Sequence, residues 1–141
     1  MAIKVLAPIC DGNTSKATIQ ALIDHKDQFN VPITLLHVVN LDKMEYRMIP
    51  DFQIDMIRQY AMKSGEKFLT EQTTVLQKAG LDVTPRLETG SPRDTICTIA
   101  NEEHYSMVVI GRHSSGEIRD VLFGSVSNHV LHGVKCPVLL F

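Results

Sequence analysis

Residues Val108–Phe141 read VVIGRHSSGEIRDVLFGSVSNHVLHGVKCPVLLF. With Met107 in front, the segment opens on a short apolar run, Met107–Ile110, rich in β-branched side chains. Such a run predicts a strand buried on both faces. A loop of glycine, serine and histidine follows. Gly124-Ser125 then starts an amphipathic helix, with Ser125 as its cap and Val126, Val130, Leu131 and Val134 inward. A last apolar run, Val138–Phe141, predicts a closing strand. Strand, small-residue loop and helix start together describe a phosphate cradle. N–H groups at a helix start have no partner within the helix, and the helix dipole favours negative charge there.

Upstream, the same alternation repeats. Ile3–Ile9 is a near-continuous apolar run and predicts the first strand. Asp11-Gly12-Asn13 is turn chemistry. Thr14 or Ser15 can cap a helix with Ala17, Ala21, Leu22 and His25 at helical spacing, ended by Val31-Pro32. Ile33–Val39 (ITLLHVV) predicts the second strand. Asn40 to about Asp51 has no period and reads as a loop. Phe52 to Ala79 carries a helical period, with Ile57, Tyr60, Ala61, Ser64, Phe68, Val75, Leu76 and Ala79 on one face. Ser64-Gly65 is a candidate kink, and Gly80 is placed to end the helix in the left-handed conformation. Asp82–Glu88 alternates and contains Pro85, which predicts an edge strand. Ser91-Pro92-Arg93-Asp94 predicts a helix start, with Asp94 reaching back as in a capping box, and that helix runs to about His104.

The order β-α-β-α-β-α-β-α-β predicts an α/β protein with a doubly wound parallel five-stranded sheet and helices on both faces. The favoured strand order is 3-2-1-4-5. Winding reverses between strands 1 and 4, and ligands of such sheets bind at the carboxyl ends of the strands flanking that reversal. The loops after those two strands, Pro8–Asn13 and Gly111–Gly116, are the richest in glycine, serine and turn residues.

The whole composition narrows the function. At 141 residues the chain is read as one domain, residues 1–141, long enough to bury a single core. A hydrophobic fraction of 44%, a charged fraction of 21% and a formal net charge of −2 fit an ordinary globular protein and argue against nucleic-acid binding. No apolar run approaches a membrane span, so no membrane insertion is expected, and the N-terminus lacks the pattern of a signal peptide. Cys10, Cys97 and Cys136 lack CxxC spacing. They read as reduced thiols of a cytoplasmic protein, two of them core-facing, rather than a metal site or a disulfide framework.

Standard nucleotide signatures are missing. Gly111 and Gly116 have the separation of a Walker A loop, but Glu117 stands where lysine is needed. Neither G-x-G-x-x-G nor a G-x-S-x-G elbow occurs. Gly111-x2-Ser114-x9-Gly124-Ser125 instead resembles the G-2x-G-9x-G-[S/T] signature of the universal stress protein family. Asp11-Gly12-Asn13, Leu35–Val39, Glu88–Pro92 and Cys136–Leu140 are similar to other segments of that family, in the same order along nearly the whole chain. Two departures stand out. Ser114 replaces the second glycine, keeping the N–H but resisting φ > 0. Pro8-Ile9-Cys10-Asp11 also has one residue more than the usual pattern between proline and aspartate.

The resemblance implies a Rossmann-like fold of the adenine nucleotide alpha hydrolase-like kind in a small cytoplasmic protein, usually a dimer, of which one branch binds ATP. It implies that Asp11 and Gly12 lie near the ribose or adenine and that Pro8 and Val38 line the base pocket. Ile110 and Gly111 would pass the ribose. Arg112 could supply positive charge, and His113, Ser114, Gly124, Ser125 and Val126 would line the phosphate path. The expected ligand is ATP, with or without Mg²⁺, or ADP or AMP. The role is a stress-response or regulatory one, with no catalytic residues assigned and at most slow hydrolysis, for which only Asp11, His113 and Glu117 offer themselves. The alternative is a member that binds no nucleotide and acts as a dimeric interaction module. In either case a homodimer through Val138–Phe141 is expected, because an exposed edge strand invites pairing.

Simpler readings stand beside these. Gly124-Ser125 reads also as a turn and cap, and Asp11 as an Asx-turn residue. His37, inside an apolar strand, reads as a hydrogen-bonded core histidine. Arg119 reads as a surface residue. Met44, Tyr46 and Met48 read as a flap, a partner patch or packing under a long loop.

Overall fold

The computed structural model describes residues 2–10, 13–41, 50–111 and 125–141. Five strands and four helices alternate: β1 (Val5–Ile9), α1 (Asn13–Asp24), β2 (Ile33–Val39), α2 (Asp51–Lys78), β3 (Val83–Thr89), α3 (Pro92–Glu102), β4 (Met107–Ile110), α4 (Ser125–Gly133) and β5 (Val138–Leu140). The strands form one sheet in the order β3-β2-β1-β4-β5, all pairs parallel, as the alternation predicts.

Strand side chains alternate between faces and so build two cores. On one face Val5, Ala7, Ile9, Ile33, Leu35, Val83 and Val109 pack with Ile19 and Leu22 of α1 and Leu69 and Leu76 of α2. On the other, Leu6, Leu36, Val38, Val108 and Ile110 pack with Ile96, Ile99 and Ala100 of α3 and Val130 of α4. Double-sided burial explains why β1 and β2 read as unbroken apolar runs.

β3 is an edge, as Pro85 predicts. Asp82 O accepts from Ile33 N–H and Gly90 N–H donates to Val39 O, so even-numbered backbone positions face β2. The amide nitrogen of Pro85 therefore points away from the ladder, where no donor is required.

Several local expectations change. α1 begins at Asn13, so Thr14 and Ser15 lie inside its first turn. The Ser15 hydroxyl reaches back to Cys10, accepting from its N–H at 2.7 Å and lying against its carbonyl. α3 begins with Ser91 as cap and Pro92 in the first turn, but no side chain makes a cap hydrogen bond. Asp94 instead faces Nε2 of His129 on α4 at 3.5 Å. α3 stops at Glu102, two residues short of the expected end. α4 is described from Ser125 onward, and the residues before it lie outside the described ones. Leu131 is exposed rather than inward, and Ser127 is buried. β1 starts at Val5 and β5 ends at Leu140.

The inward face of α2 is rotated from the one its hydropathy predicts. Gly65, Leu69, Thr73 and Leu76 are buried, whereas Tyr60 and Val75 are exposed. Gly65 lies where α2 approaches the sheet, within a helix that runs unbroken from Asp51 to Lys78. A Cβ there would lie 2.8 Å from Val39 Cγ2 and 3.4 Å from His37 Cδ2, so glycine alone lets helix and sheet approach this closely. Glycine has no side chain and therefore gives no hydropathy signal. Gly80, at φ 98°, ends α2 as expected, with Gly80 N–H on Gln77 O and Leu81 N–H on Leu76 O.

Candidate functional site

Toward the carboxyl end of the sheet, pairing between β1 and β4 stops early. The β1–β2 ladder runs in register from Val5–Ile33 to Ile9–His37, but the β1–β4 ladder stops after Val5–Met107 and Leu6–Val108. Two residues account for the stop. Val5 N–H donates to Pro32 O, so odd positions of β1 face β2 and even positions face β4. Pro8 is thus the next residue owed to β4, and it has no N–H to give. Gly111, whose N–H would otherwise continue this edge of β4, donates at 2.8 Å to the buried Thr18 hydroxyl of α1. The strands part where the winding direction reverses, which is where open α/β sheets take ligands.

Residues of three strands surround this junction. Val38 and Ile110 are buried on the α3/α4 face, and alternation puts Pro8 on that same face. Gly111 is buried at the end of β4. Val126, in the first turn of α4, packs against the same core. α4 starts at the carboxyl end, since it must run back down the sheet to begin β5 parallel to β4.

Charge distinguishes the helix starts. α1 follows β1 and α4 follows β4, and neither has an acidic residue in its first turn. α2 and α3, which follow β2 and β3, carry Asp51 and Asp94 there. Among the described residues, the first turns of α1 and α4 thus place no carboxylate at the positive ends of their dipoles, while Asp11, two residues before α1, lies outside the described residues.

His37 is the core histidine its surroundings predict. It is 9% exposed, with Nδ1 3.1 Å from Ile9 O and its ring edge-on to Phe68 at 5.1 Å. Sequence reasoning passed over Thr18, an ordinary helix residue whose buried hydroxyl holds the end of β4. Its only signal was a polar residue on the apolar stripe of α1.

The structure brings together Pro8, Val38, Ile110, Gly111 and Val126, with Ser125 opening α4. Asp11, Gly12, Arg112, His113, Ser114 and Gly124 lie outside the described residues, as do Met44, Tyr46, Met48, Glu117 and Arg119. Cys10 is exposed, whereas Cys97 and Cys136 pack against the α3/α4 core, and burial raises both of their thiol pKa values. Among the described residues no helix is long and apolar enough to cross a membrane, and no cluster of three or more His, Cys, Asp or Glu could hold a metal.

These features describe a parallel α/β protein whose β1–β4 ladder stops short at the switch point of its sheet. The universal stress protein family matches residues 1–141, and the chain belongs to that family. Universal stress protein YxiE of Bacillus subtilis is 26% identical over 145 residues, 97% of both chains. Universal stress protein MJ0577 of Methanocaldococcus jannaschii is 25% identical over 152 residues, 97% of this chain and 93% of its own. The solved structure of MJ0577 superposes with a TM-score of 0.81, covering 99% of this chain and 95% of that one. An Archaeoglobus fulgidus universal stress protein in complex with dAMP matches at 20% identity and TM-score 0.62, covering 99% and 97% of the two chains. A universal stress protein in complex with cAMP matches at 21% identity and TM-score 0.61, covering 99% and 96%.

Proposed function

We propose that this chain binds an adenine nucleotide, ATP or a relative with fewer phosphates, in the crevice between β1 and β4, and acts as a cytoplasmic stress-response regulator built as one domain over residues 1–141. The parting of β1 and β4 above Leu6 and Val108 carries the reading. The apolar walls Pro8 and Val38 suit a planar base, and Ile110 and Gly111 stand where the ribose would pass. Ser125 and Val126 open the helix whose first-turn N–H groups would face phosphate oxygens. On the family resemblance, Asp11, Gly12, Arg112, His113, Ser114 and Gly124, which follow β1 and β4 in sequence, complete the set. The complexes of two relatives with dAMP and cAMP support an adenine nucleotide as the ligand class. A bound nucleotide with Mg²⁺ would be held rather than turned over, with hydrolysis slow at most.

A thermal melt tests this. A ligand that binds only the folded chain raises its stability by about 2.7 kcal/mol at a hundredfold excess over Kd. ATP, ADP, AMP and cAMP at millimolar concentration are compared with GTP. A rise in Tm for an adenine nucleotide, lost in Gly124→Leu, is the expected result. Equal melts in all five would overturn the reading.

A second reading, a homodimer through β5, has its own observation. Val108 N–H donates to Pro137 O and Phe141 N–H to Ile110 O, so Val138 and Leu140 turn their backbone groups to the outer edge of the sheet. We propose that this edge pairs with its copy across a two-fold axis. Light scattering should give a dimer mass that falls to a monomer in Val138→Pro. A monomer in the unaltered chain at micromolar concentration would exclude it.

A further inference from the structure

No residue of β5 is buried, and Leu139 at its centre is 37% exposed. Val138 and Leu140 pack against the α3/α4 core, and alternation turns Leu139 and Phe141 to the α1/α2 face. There Phe141, directly after the strand, packs against the α1/α2 core. Its ring stacks on His25 at 5.5 Å with the planes 12° apart, and stands edge-on to Phe29 at 5.9 Å. Phe29 is buried. Gln28 N–H donates to His25 O and Phe29 N–H to Lys26 O, which folds this segment between α1 and β2. Phe141 N–H donates to Ile110 O at 3.0 Å. One residue thus ties β5 to β4 through its backbone and to the α1–β2 connection through its ring.

We propose that Phe141 is a positioning residue for the outer edge of β5. It holds Val138 and Leu140 extended, with their backbone groups spaced to pair with the same edge of a second copy. The role rests on the β5 pairing proposed above. A strand of three residues with little burial opens easily. Where such a strand must be ordered as two copies meet, the ordering cost is subtracted from their affinity. Anchored beforehand by two aromatic contacts, β5 meets its copy already in register. The N–H of Phe141 faces β4, so Phe141 acts through Val138 and Leu140 rather than by pairing itself.

Two measurements on the full chain test this, each in Phe141→Ala and in Phe141→Tyr, which keeps the ring. The first is amide hydrogen exchange at Leu139, whose N–H faces β4, set against Leu36 in the centre of β2 as the mark of global opening. The ratio of Leu139 to Leu36 exchange should rise about tenfold in Phe141→Ala and return in Phe141→Tyr. A residue that merely supported the whole fold would speed both amides alike. The second is dimer dissociation followed by sedimentation. The Kd should rise about tenfold in Phe141→Ala and be restored in Phe141→Tyr. An unchanged exchange ratio, or a dimer of unchanged affinity in Phe141→Ala, overturns this role alone. A monomer in the unaltered chain overturns the β5 pairing and this role with it.

Discussion

The two ends of the sheet are built differently, although the same strands run through both. At the carboxyl end β1 and β4 part, since Pro8 has no N–H and Gly111 gives its own to Thr18. Away from that end, several polar contacts tie neighbouring elements together. Lys4 N–H donates to Ser106 Oγ at 3.1 Å and Ser106 N–H to Lys4 O at 2.9 Å, which locks β1 to the approach to β4. Asn101 holds the turn after α4 from both sides, with Nδ2 on Gly133 O at 3.0 Å and Oδ1 taking Lys135 N–H at 2.8 Å. Arg86 clasps both carboxylate oxygens of Glu103 at 2.7 Å and reaches Glu88 at 3.0 Å. Tyr105 donates to Thr34 at 3.1 Å under the ammonium of Lys4. The amino end thus ties its elements together with polar contacts, and at the carboxyl end the β1–β4 ladder stops short.

Substitutions should tell the two ends apart. The largest effect is expected where sheet and helix touch most closely. Gly65→Leu drives a side chain into Val39 and His37 and should cost about 3 kcal/mol in a urea melt. A loss below about 0.5 kcal/mol would mean that α2 does not sit this close. Thr18→Val comes next. It leaves the buried Gly111 N–H without an acceptor, for about 2 kcal/mol, and should weaken any nucleotide-induced rise in Tm along with stability. Asn101→Ala should cost about 1 kcal/mol and leave nucleotide binding unchanged. Loss of binding in Asn101→Ala but not in Thr18→Val would invert the comparison.

The smallest effect is one of pH. Hydrogen bonding to Arg86 holds the Glu103 carboxyl below the usual carboxylate range. A carboxyl depressed in the folded chain contributes stability above its unfolded pKa, about 4.3 for glutamate. That contribution is lost as pH falls from there through the lower folded value. Both groups are partly open to solvent, so only a few tenths of a kcal/mol are at stake. Acid melts of Arg86→Met should show a correspondingly flatter loss. An unchanged acid limb would show that the clasp contributes nothing.

The architecture was legible because it rests on long-range regularities. Apolar runs in Ile33–Val39 and Met107–Ile110 mark double-sided burial, and Pro85 marks an edge. The departures involve residues whose hydropathy is silent about their contacts. Gly65 lets α2 approach the sheet by having no side chain. Asp94 has the position of a capping acid, yet lies across from His129 on α4, a tertiary neighbour no local pattern reveals. Of the proposed site, Pro8, Val38, Ile110 and Gly111 follow from strand register and alternation, and Val126 from the helical period of α4. Thr18 does not, because its importance arises from meeting Gly111 across 93 residues of sequence.

The central claim, that the carboxyl-end crevice binds an adenine nucleotide, is tested most directly by titrating ATP into isotope-labelled protein and following backbone amide shifts. Perturbations should cluster at Ile9, Cys10, Val38, Ile110, Gly111 and Val126, and leave Lys4, Asn101, Ser106 and Lys135 in place. No perturbation at millimolar nucleotide, or shifts centred on the amino end, would contradict the account.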